Sequence, residues 1–422
     1  MKQLFHRDAF TVLGYRDFRL FLAYRFFMTS ATLMQSVVVG WQLYTITRNV
    51  LSLGMIGLTE VIPQVGIALF AGYYIDIWDR KKIIFNTTFL LLFGSALLAI
   101  YSVPSLQLQQ MVGVLPIFIT IFLTGLVRGI LMPASVALLG QLVPRHLLAG
   151  AATLSSTTWE IAAVTGPALG GLMYGFFGIV PAYLLIFSFF LLCTLFIAFL
   201  KSPGRVNAGE NLQEGIFARI KEGISYVFKN QVLLGAFTLD MFAVLFGGAV
   251  AMLPVFASDI LKVGPEGLGF LRACPAAGAI LMSVVLTFRP PVNRSGTMLL
   301  YSVSGFGLCM IVFAFSESFI LSAACLFLSG CFDNVSVVIR STILQLFTSN
   351  EMKGRVAAVN SIFVGSSNEL GAFESGVAAR LMGLVPSVIF GGVMTLIVVI
   401  TAAWKWPHLR RLSLKEKYTV ED

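Results

Sequence analysis

Residues 57–66 read Gly57-Leu58-Thr59-Glu60-Val61-Ile62-Pro63-Gln64-Val65-Gly66, and residues 269–278 read Gly269-Phe270-Leu271-Arg272-Ala273-Cys274-Pro275-Ala276-Ala277-Gly278. Glycine, proline and glycine recur in one register in two apolar stretches, one in each half of the chain. A second pair keeps the same order: Gly166-Pro167-Ala168-Leu169-Gly170-Gly171 and Gly371-Ala372-Phe373-Glu374-Ser375-Gly376. Glycine and proline are common in membrane helices, so each match alone is weak; the shared order indicates parallel repeats. Membrane proteins built from such repeats bind their solutes at the repeat interface, near the bilayer midplane.

Outward from these stretches the apolar residues gather into twelve blocks: 18–47, 51–77, 83–103, 112–141, 146–175, 177–200, 233–257, 267–288, 296–315, 319–347, 355–382 and 384–404. Each is about 20 residues or longer, enough to cross a hydrocarbon core of about 30 Å. One connection is long, and it divides the blocks six and six. The expected fold is all-α and membrane-embedded, with twelve transmembrane helices in two pseudo-symmetric six-helix bundles. The expected organisation is an N-terminal segment (1–17), a first bundle (18–200), a linker (201–232), a second bundle (233–404) and a tail (405–422).

Of 422 residues, 57% are apolar and 12% charged, against roughly 25% charged in soluble proteins. That excludes a soluble globular enzyme and a disordered chain. The net charge of +9 would suggest nucleic acid, but the basic residues are sorted. With a cytoplasmic N-terminus, 22 of the 29 Lys and Arg fall in inner segments, and the outer loops hold Arg48 and Lys262. Positive residues mark the cytoplasmic side, so both termini are expected there and no nucleic-acid partner is expected. The N-terminus shows charges instead of a cleavable apolar leader, so the first helix is expected to be retained.

Five cysteines lie inside apolar blocks without CxxC spacing and read as packing residues. Three scattered histidines give no metal site, and no Walker loop, GxSxG or HExxH is present. No enzyme, metal or cofactor is implied. In the linker, Leu212, Ile216, Phe217, Ile220, Ile224 and Val227 recur at helical spacing beside Arg219, Lys221 and Lys229, an amphipathic surface helix that tethers two halves.

Apart from Arg19, Asp76 and Arg355 at block ends, eleven charged residues lie within the blocks: Arg25, Glu60, Arg128, Glu160, Asp240, Arg272, Asp333, Arg340, Glu369, Glu374 and Arg380. They occupy blocks 1, 2, 4, 5, 7, 8, 10 and 11, leaving 3, 6, 9 and 12 without charge. A charge facing lipid costs roughly 2.5–3.5 kcal/mol even on the lenient scale. The charge-free blocks should therefore face lipid, and the other eight should surround a wet or internally paired interior. Under the repeat, Glu60 aligns with Arg272, Arg25 with Asp240 and Arg128 with Asp333. Two arrangements follow: pairs exchanged between halves, or pairs local to each half.

The loop Gly72-Tyr73-Tyr74-Ile75-Asp76-Ile77-Trp78-Asp79-Arg80-Lys81-Lys82 resembles the GxLxDRxGRRx motif of the major facilitator superfamily. Two departures are Ile77, where a basic residue is usual, and Asp79, in place of the second glycine. The second half's Arg289-Pro290-Pro291-Val292-Asn293-Arg294 lacks the acid. Asp79 and Gly166-Pro167-Ala168-Leu169-Gly170-Gly171, similar to the antiporter GPxxGG, resemble the drug:proton antiporter branch that includes the bacterial enterobactin exporter. The stretches 253–257 and 264–273, and Gly354-Arg355-Val356, are similar to the same branch.

The resemblance implies a multi-pass protein of the bacterial inner membrane, monomeric, exporting a siderophore or amphipathic small molecule in exchange for protons by alternating access. It makes Gly72, Asp76, Asp79, Arg80 and Lys81 a cytoplasmic gate, and Gly166, Pro167, Gly170 and Gly171 a close-packing motif. Arg128 falls where antiporters carry an arginine implicated in proton coupling, although Met132 replaces the glycine usual four residues on. The proton-carrying candidates are Asp240 and Asp333, then Glu160, Glu60, Glu369 and Glu374, beside the cavity cations Arg25, Arg128, Arg272 and Arg340. A lysophospholipid flippase and a non-transporting receptor or scaffold on the same fold are the alternatives.

Overall fold

An apolar run in hydrocarbon can satisfy its peptide groups by forming an α-helix, and helices make up nearly all of the computed structural model. The structure describes residues 11–201, 216–349 and 352–414. Among them nine helical stretches are long and apolar enough to cross a membrane: Val50–Ala68, Arg80–Tyr101, Leu115–Leu142, Ile179–Ala198, Gln231–Ile260, Pro265–Phe288, Ser295–Ala314, Phe319–Phe347 and Leu384–Lys405.

Three further long helices bring polar residues with them. In chain order the long helices are α1 (Arg16–Thr47), α2 (Val50–Ile77), α3 (Arg80–Tyr101), α4 (Leu115–Leu142), α5 (Leu148–Phe177), α6 (Ile179–Ala198), α7 (Gln231–Phe246), α8 (Pro265–Phe288), α9 (Ser295–Ala314), α10 (Phe319–Phe347), α11 (Lys353–Met382) and α12 (Leu384–Lys405). The three polar ones are α1, α5 and α11. Arg16, Asp17, Arg19 and Arg25 fall in α1, and Glu369, Glu374 and Arg380 in α11.

The seventh block is not one continuous α-helix. After α7 stops at Phe246, the chain runs through a 3-10 turn (Gly248–Met252), a short helix (Leu253–Val255) and a π turn (Phe256–Ile260). Gly247-Gly248 supplies little helix propensity, and Pro254 lacks the amide that an interior turn needs. The freed carbonyl end is covered by close packing. A Cβ at Gly371 of α11 would stand 2.8 Å from the Leu245 carbonyl oxygen, and one at Gly391 of α12 would collide with that of Phe246.

The chain forms two compact units: residues 1–48, 59–213 and 264–273 in unit 1, and residues 49–58, 214–263 and 274–422 in unit 2. In unit 1, α1 packs on α5 and α6, while α3 packs on α6 and α4. In unit 2, α7 packs on α11 and α12, while α9 packs on α12 and α10. The same scheme is thus built twice. Matching turns confirm the register. Gly178 ends α5 at φ +91°, its amide donating to the Tyr174 carbonyl (2.9 Å); Gly383 ends α11 at φ +91°, donating to that of Ala379 (3.0 Å). Each lies twelve residues after its repeat glycine, Gly166 or Gly371, in a conformation that favours glycine.

The four helices without charge in their interiors, α3, α6, α9 and α12, each expose an apolar stripe. Phe89, Phe93 and Ile100 line α3, Leu184, Leu191 and Leu195 line α6, Tyr301, Leu308 and Val312 line α9, and Val393, Ile397 and Ile400 line α12. These spacings keep to one helical face, and uncovered apolar faces of this extent are what lipid chains solvate.

Glycines on α4 and α10 set the crossings inside each unit. A Cβ at Gly125 would collide with the Glu60 carbonyl oxygen, and one at Gly330 with that of Pro275, whereas Gly140 on α4 faces open space. Overpacking of this kind costs roughly 1–3 kcal/mol. Gly125→Ala and Gly330→Ala are therefore expected to lower the thermal unfolding midpoint in detergent, while Gly140→Ala leaves it unchanged or raises it.

Candidate functional site

Two charged groups are buried side by side in unit 2. Asp240 in the middle of α7 is 5% exposed and Arg340 on α10 is 9% exposed, and their side chains form an ion pair. The Arg340 Nε also donates to Ser336 Oγ (3.2 Å), one turn earlier on the same helix. Asp333 lies two turns before Arg340 on α10. It is exposed, makes no hydrogen bond or ion pair among the described residues, and acts electrostatically on Asp240 as Arg340 acts on it. With both carboxylates ionised the trio carries one uncompensated negative charge.

Unit 1 holds a different set. Arg128 on α4 pairs with Glu60 on α2, across the helix crossing that Gly125 permits. Arg25 on α1 donates through Nε to the Ser155 carbonyl of α5 (3.1 Å), and no carboxylate pairs with it among the described residues. Gln35 donates to Thr124 Oγ1 (3.4 Å). Glu160 on α5 is partly buried. Arg272, two turns into α8, donates to Ser36 Oγ (2.8 Å). In unit 2, Glu369 and Glu374 on α11 are partly buried, and Arg380 donates to Asn49 Oδ1 (3.5 Å). The two pairs described, Glu60–Arg128 and Asp240–Arg340, are each local to one unit, although the repeat aligns Glu60 with Arg272 and Arg128 with Asp333.

The loop motif after α2 works through helix ends. Asp79 is the N-cap of α3, accepting from the amides of Lys81 (2.9 Å) and Lys82 (3.2 Å). Arg80 donates to the Ala137 carbonyl near the end of α4 (3.2 Å). Lys81 Nζ donates to the Ala198 (3.0 Å) and Leu200 (2.6 Å) carbonyls, at the C-terminus of α6. Cations there oppose the negative pole of the helix dipole. Gly72 and Asp76 belong to α2 by their backbone, and the surroundings of both lie outside the described residues.

The GPxxGG segment serves two neighbours within unit 1. A Cβ at Gly166 would stand 2.8 Å from the Ser30 carbonyl oxygen, and one at Gly170 would stand 2.6 Å from Met34 Cγ, both on α1. On the other side, a Cβ at Gly171 would stand 2.6 Å from Gly269 Cα, and one at Gly269 would stand 2.7 Å from the Pro167 carbonyl oxygen. Unit 2 repeats the device: Gly371 meets α7, and a Cβ at Gly376 would stand 2.6 Å from Gly54 Cα. Pro167 is a buried interior residue of α5, and Gly269 packs against its carbonyl oxygen.

These paired charges, capped loop and reciprocal glycines occur in a chain whose residues 8–418 match the family model described as "Transmembrane secretion effector". The chain belongs to that family. It is a major facilitator protein, and a multi-pass protein of the bacterial inner membrane. Similar chains include the enterobactin exporter EntS of Shigella flexneri and that of Escherichia coli O1:K1, each 25% identical over 93% of this chain and 92% of its relative. Among solved structures, a POT family transporter in complex with 5-aminolevulinic acid has a TM-score of 0.74 at 10% identity, covering 93% of this chain and 96% of that one. A peptide transporter POT has a TM-score of 0.72 at 12% identity, covering 94% and 95%. These structures show the shared fold. The family and its relatives are transporters, which implies a small-molecule substrate.

Ser336, Ser155 and Ser36, which hold three of the arginines, were not singled out by the pattern of charges. Ser336 was within reach of sequence reasoning, four residues before Arg340 on one helix face. The other two depend on helix crossings. Removing one partner of a buried ion pair costs about 3–5 kcal/mol, whereas replacing both by apolar residues is often neutral. Arg340→Met alone should thus lower the unfolding midpoint sharply, and Asp240→Leu combined with Arg340→Met should recover most of it. Equal losses in the single and double variants would show that the pair is not a coupled unit.

Proposed function

We propose that the protein is a proton-coupled exporter of an amphipathic small molecule, with twelve spans in two six-helix halves and both termini cytoplasmic. In this reading the halves are 18–200 and 233–404, joined by the linker 201–232 and flanked by the cytoplasmic segments 1–17 and 405–422. It acts as a monomer in the lipid bilayer. Its direction follows the exporters it is similar to, and enterobactin, the solute in their name, is the first substrate to test.

The observation that carries the reading is the Asp240–Asp333–Arg340 trio. The one guanidinium pairs with Asp240, and Asp333, two turns away on α10, adds a second carboxylate, so one negative charge awaits a proton or a cationic group. A carboxylate beside a guanidinium stays ionised, and parted from it in a low-dielectric site it takes up a proton. If α7 and α10 shift as the halves rock, the trio's proton affinity changes with the side to which it opens. Asp333, exposed, receives the proton; Asp240, buried against Arg340, senses the shift. The further candidates for carrying the proton are the remaining acids Glu60, Glu160, Glu369 and Glu374, with Arg25, Arg128 and Arg272 as the other cations within the helices.

Proteoliposomes with an imposed pH gradient test this. The wild type should concentrate radiolabelled enterobactin or a lipophilic dye when the gradient is present, and stop when it is collapsed. Asp240→Asn and Asp333→Asn should still exchange solute down its own gradient but lose the response to pH. If both variants keep gradient-driven transport, the proton is carried elsewhere. If the wild type ignores the gradient, the coupling itself is wrong.

A further inference from the structure

The helix Ile216–Lys229 immediately precedes α7, with Asn230 between them. Asn230 caps α7, accepting from the amides of Val232 (3.1 Å) and Leu233 (3.2 Å). The linker helix is fixed to unit 2 along one side. Val227 is 2% exposed and sits in the same core as Val356 and Val359 of α11. Gly223 lies against the Arg355 carbonyl. Glu222 forms an ion pair with Arg355. Tyr226 bridges the end of α10, its hydroxyl donating to the Phe347 carbonyl (3.3 Å) and accepting from the Ser349 amide (3.2 Å).

At about 100° per residue, the docked positions Gly223 and Val227 are followed around the helix by Ile224 and Phe228. The apolar arc is thus wider than the docked face. Ile224 is 38% exposed and Phe228 is 60% exposed, one turn apart, and exposed Lys229 lies beyond them on the polar side. Chain continuity restricts what can cover this pair. Phe228 precedes Val232, the first apolar residue of a membrane span, by four residues, so the two are within about 14 Å even if the chain between them is fully extended. The headgroup layer on each side of the hydrocarbon core is about 5–8 Å thick.

From this placement we infer that Ile224 and Phe228 insert into the cytoplasmic headgroup–acyl boundary, with Lys229 against anionic headgroups. The linker helix is wedged between unit 2 and the bilayer: one side of its apolar arc packs on α11 and the other on lipid. A basic amphipathic helix lies in the membrane plane for the same reasons. The consequence is that the turn between α10 and α11, held by Tyr226 and Glu222, is attached to the inner leaflet through a helix that responds to lipid charge.

The test is photocrosslinking of the full-length protein in liposomes, with p-benzoylphenylalanine replacing Ile224, Phe228 or, as a control, Tyr226. Mass spectrometry of the linker peptide identifies the adduct. Lipid adducts are expected at 224 and 228, and an intramolecular adduct to the end of α10 is expected at 226. In liposomes mixing phosphatidylglycerol with phosphatidylcholine, the adduct at 228 should favour phosphatidylglycerol by about fivefold, the weight of one basic residue near an anionic surface, and Lys229→Gln should abolish the preference. Water addition without lipid adduct at 224 and 228, or crosslinking to a second copy of the chain, would overturn the assignment. Equal labelling of the two lipids by the wild-type sequence would overturn the headgroup contact.

Discussion

An ionised side chain in hydrocarbon must be paired or reach water, because facing lipid costs several kcal/mol. That penalty orders this molecule. It keeps charge out of the interiors of α3, α6, α9 and α12, leaving Arg80, Lys81, Lys82 and Lys405 at helix ends, and exposes residues such as Phe93, Leu191, Leu308 and Ile397 in their place. It brings Arg340 against Asp240 and Arg128 against Glu60, and turns Arg25, Arg272 and Arg380 to carbonyl, hydroxyl or amide oxygens. Every basic residue placed inside a block is arginine, the side chain that stays charged and forks its donors. At the proposed proton site the pairing is incomplete: Asp240 holds the guanidinium, and Asp333 makes no ion pair among the described residues.

Such pairs need helices whose backbones approach closely. Small residues provide that in membranes, where no hydrophobic drive separates helix from lipid. Gly125 lets α4 close on the Glu60 turn, so that Arg128, three residues on, meets the Glu60 carboxylate. Gly330 does the same for α10 against Pro275, on the helix that carries Asp333 and Arg340. The glycine crossing is thus built twice, but the charge pair that joins the same two helices in unit 1 is replaced in unit 2 by one from α10 to α7. In the loop after α2, Asp79, Arg80 and Lys81 between them cap the start of α3 and two helix ends.

Much of this was legible in the chain. Hydropathy marked the long helices to within a few residues, since a span must be apolar over a fixed length. The recurrence of Gly166 in Gly371 reported a structural identity, as the matching turns at Gly178 and Gly383 show. What spacing did not encode was the third dimension. Alignment under the repeat set Glu60 opposite Arg272, but Glu60 meets Arg128, because the crossing of α2 and α4 brings those positions together. The break after Phe246 was hidden by unbroken hydropathy through Met252. The docking of Tyr226 on the end of α10 rests on contacts more than one hundred residues apart in sequence, which no local period carries.

We propose that the Asp240–Asp333–Arg340 trio exchanges a proton for solute. The most direct test is the proton count on solute binding, read with a pH dye on purified protein in weakly buffered detergent solution. The wild type should release protons as enterobactin binds, and the doubly substituted Asp240→Asn, Asp333→Asn variant should bind without release. Binding by the wild type with no proton released, or undiminished release from the variant, would contradict the account.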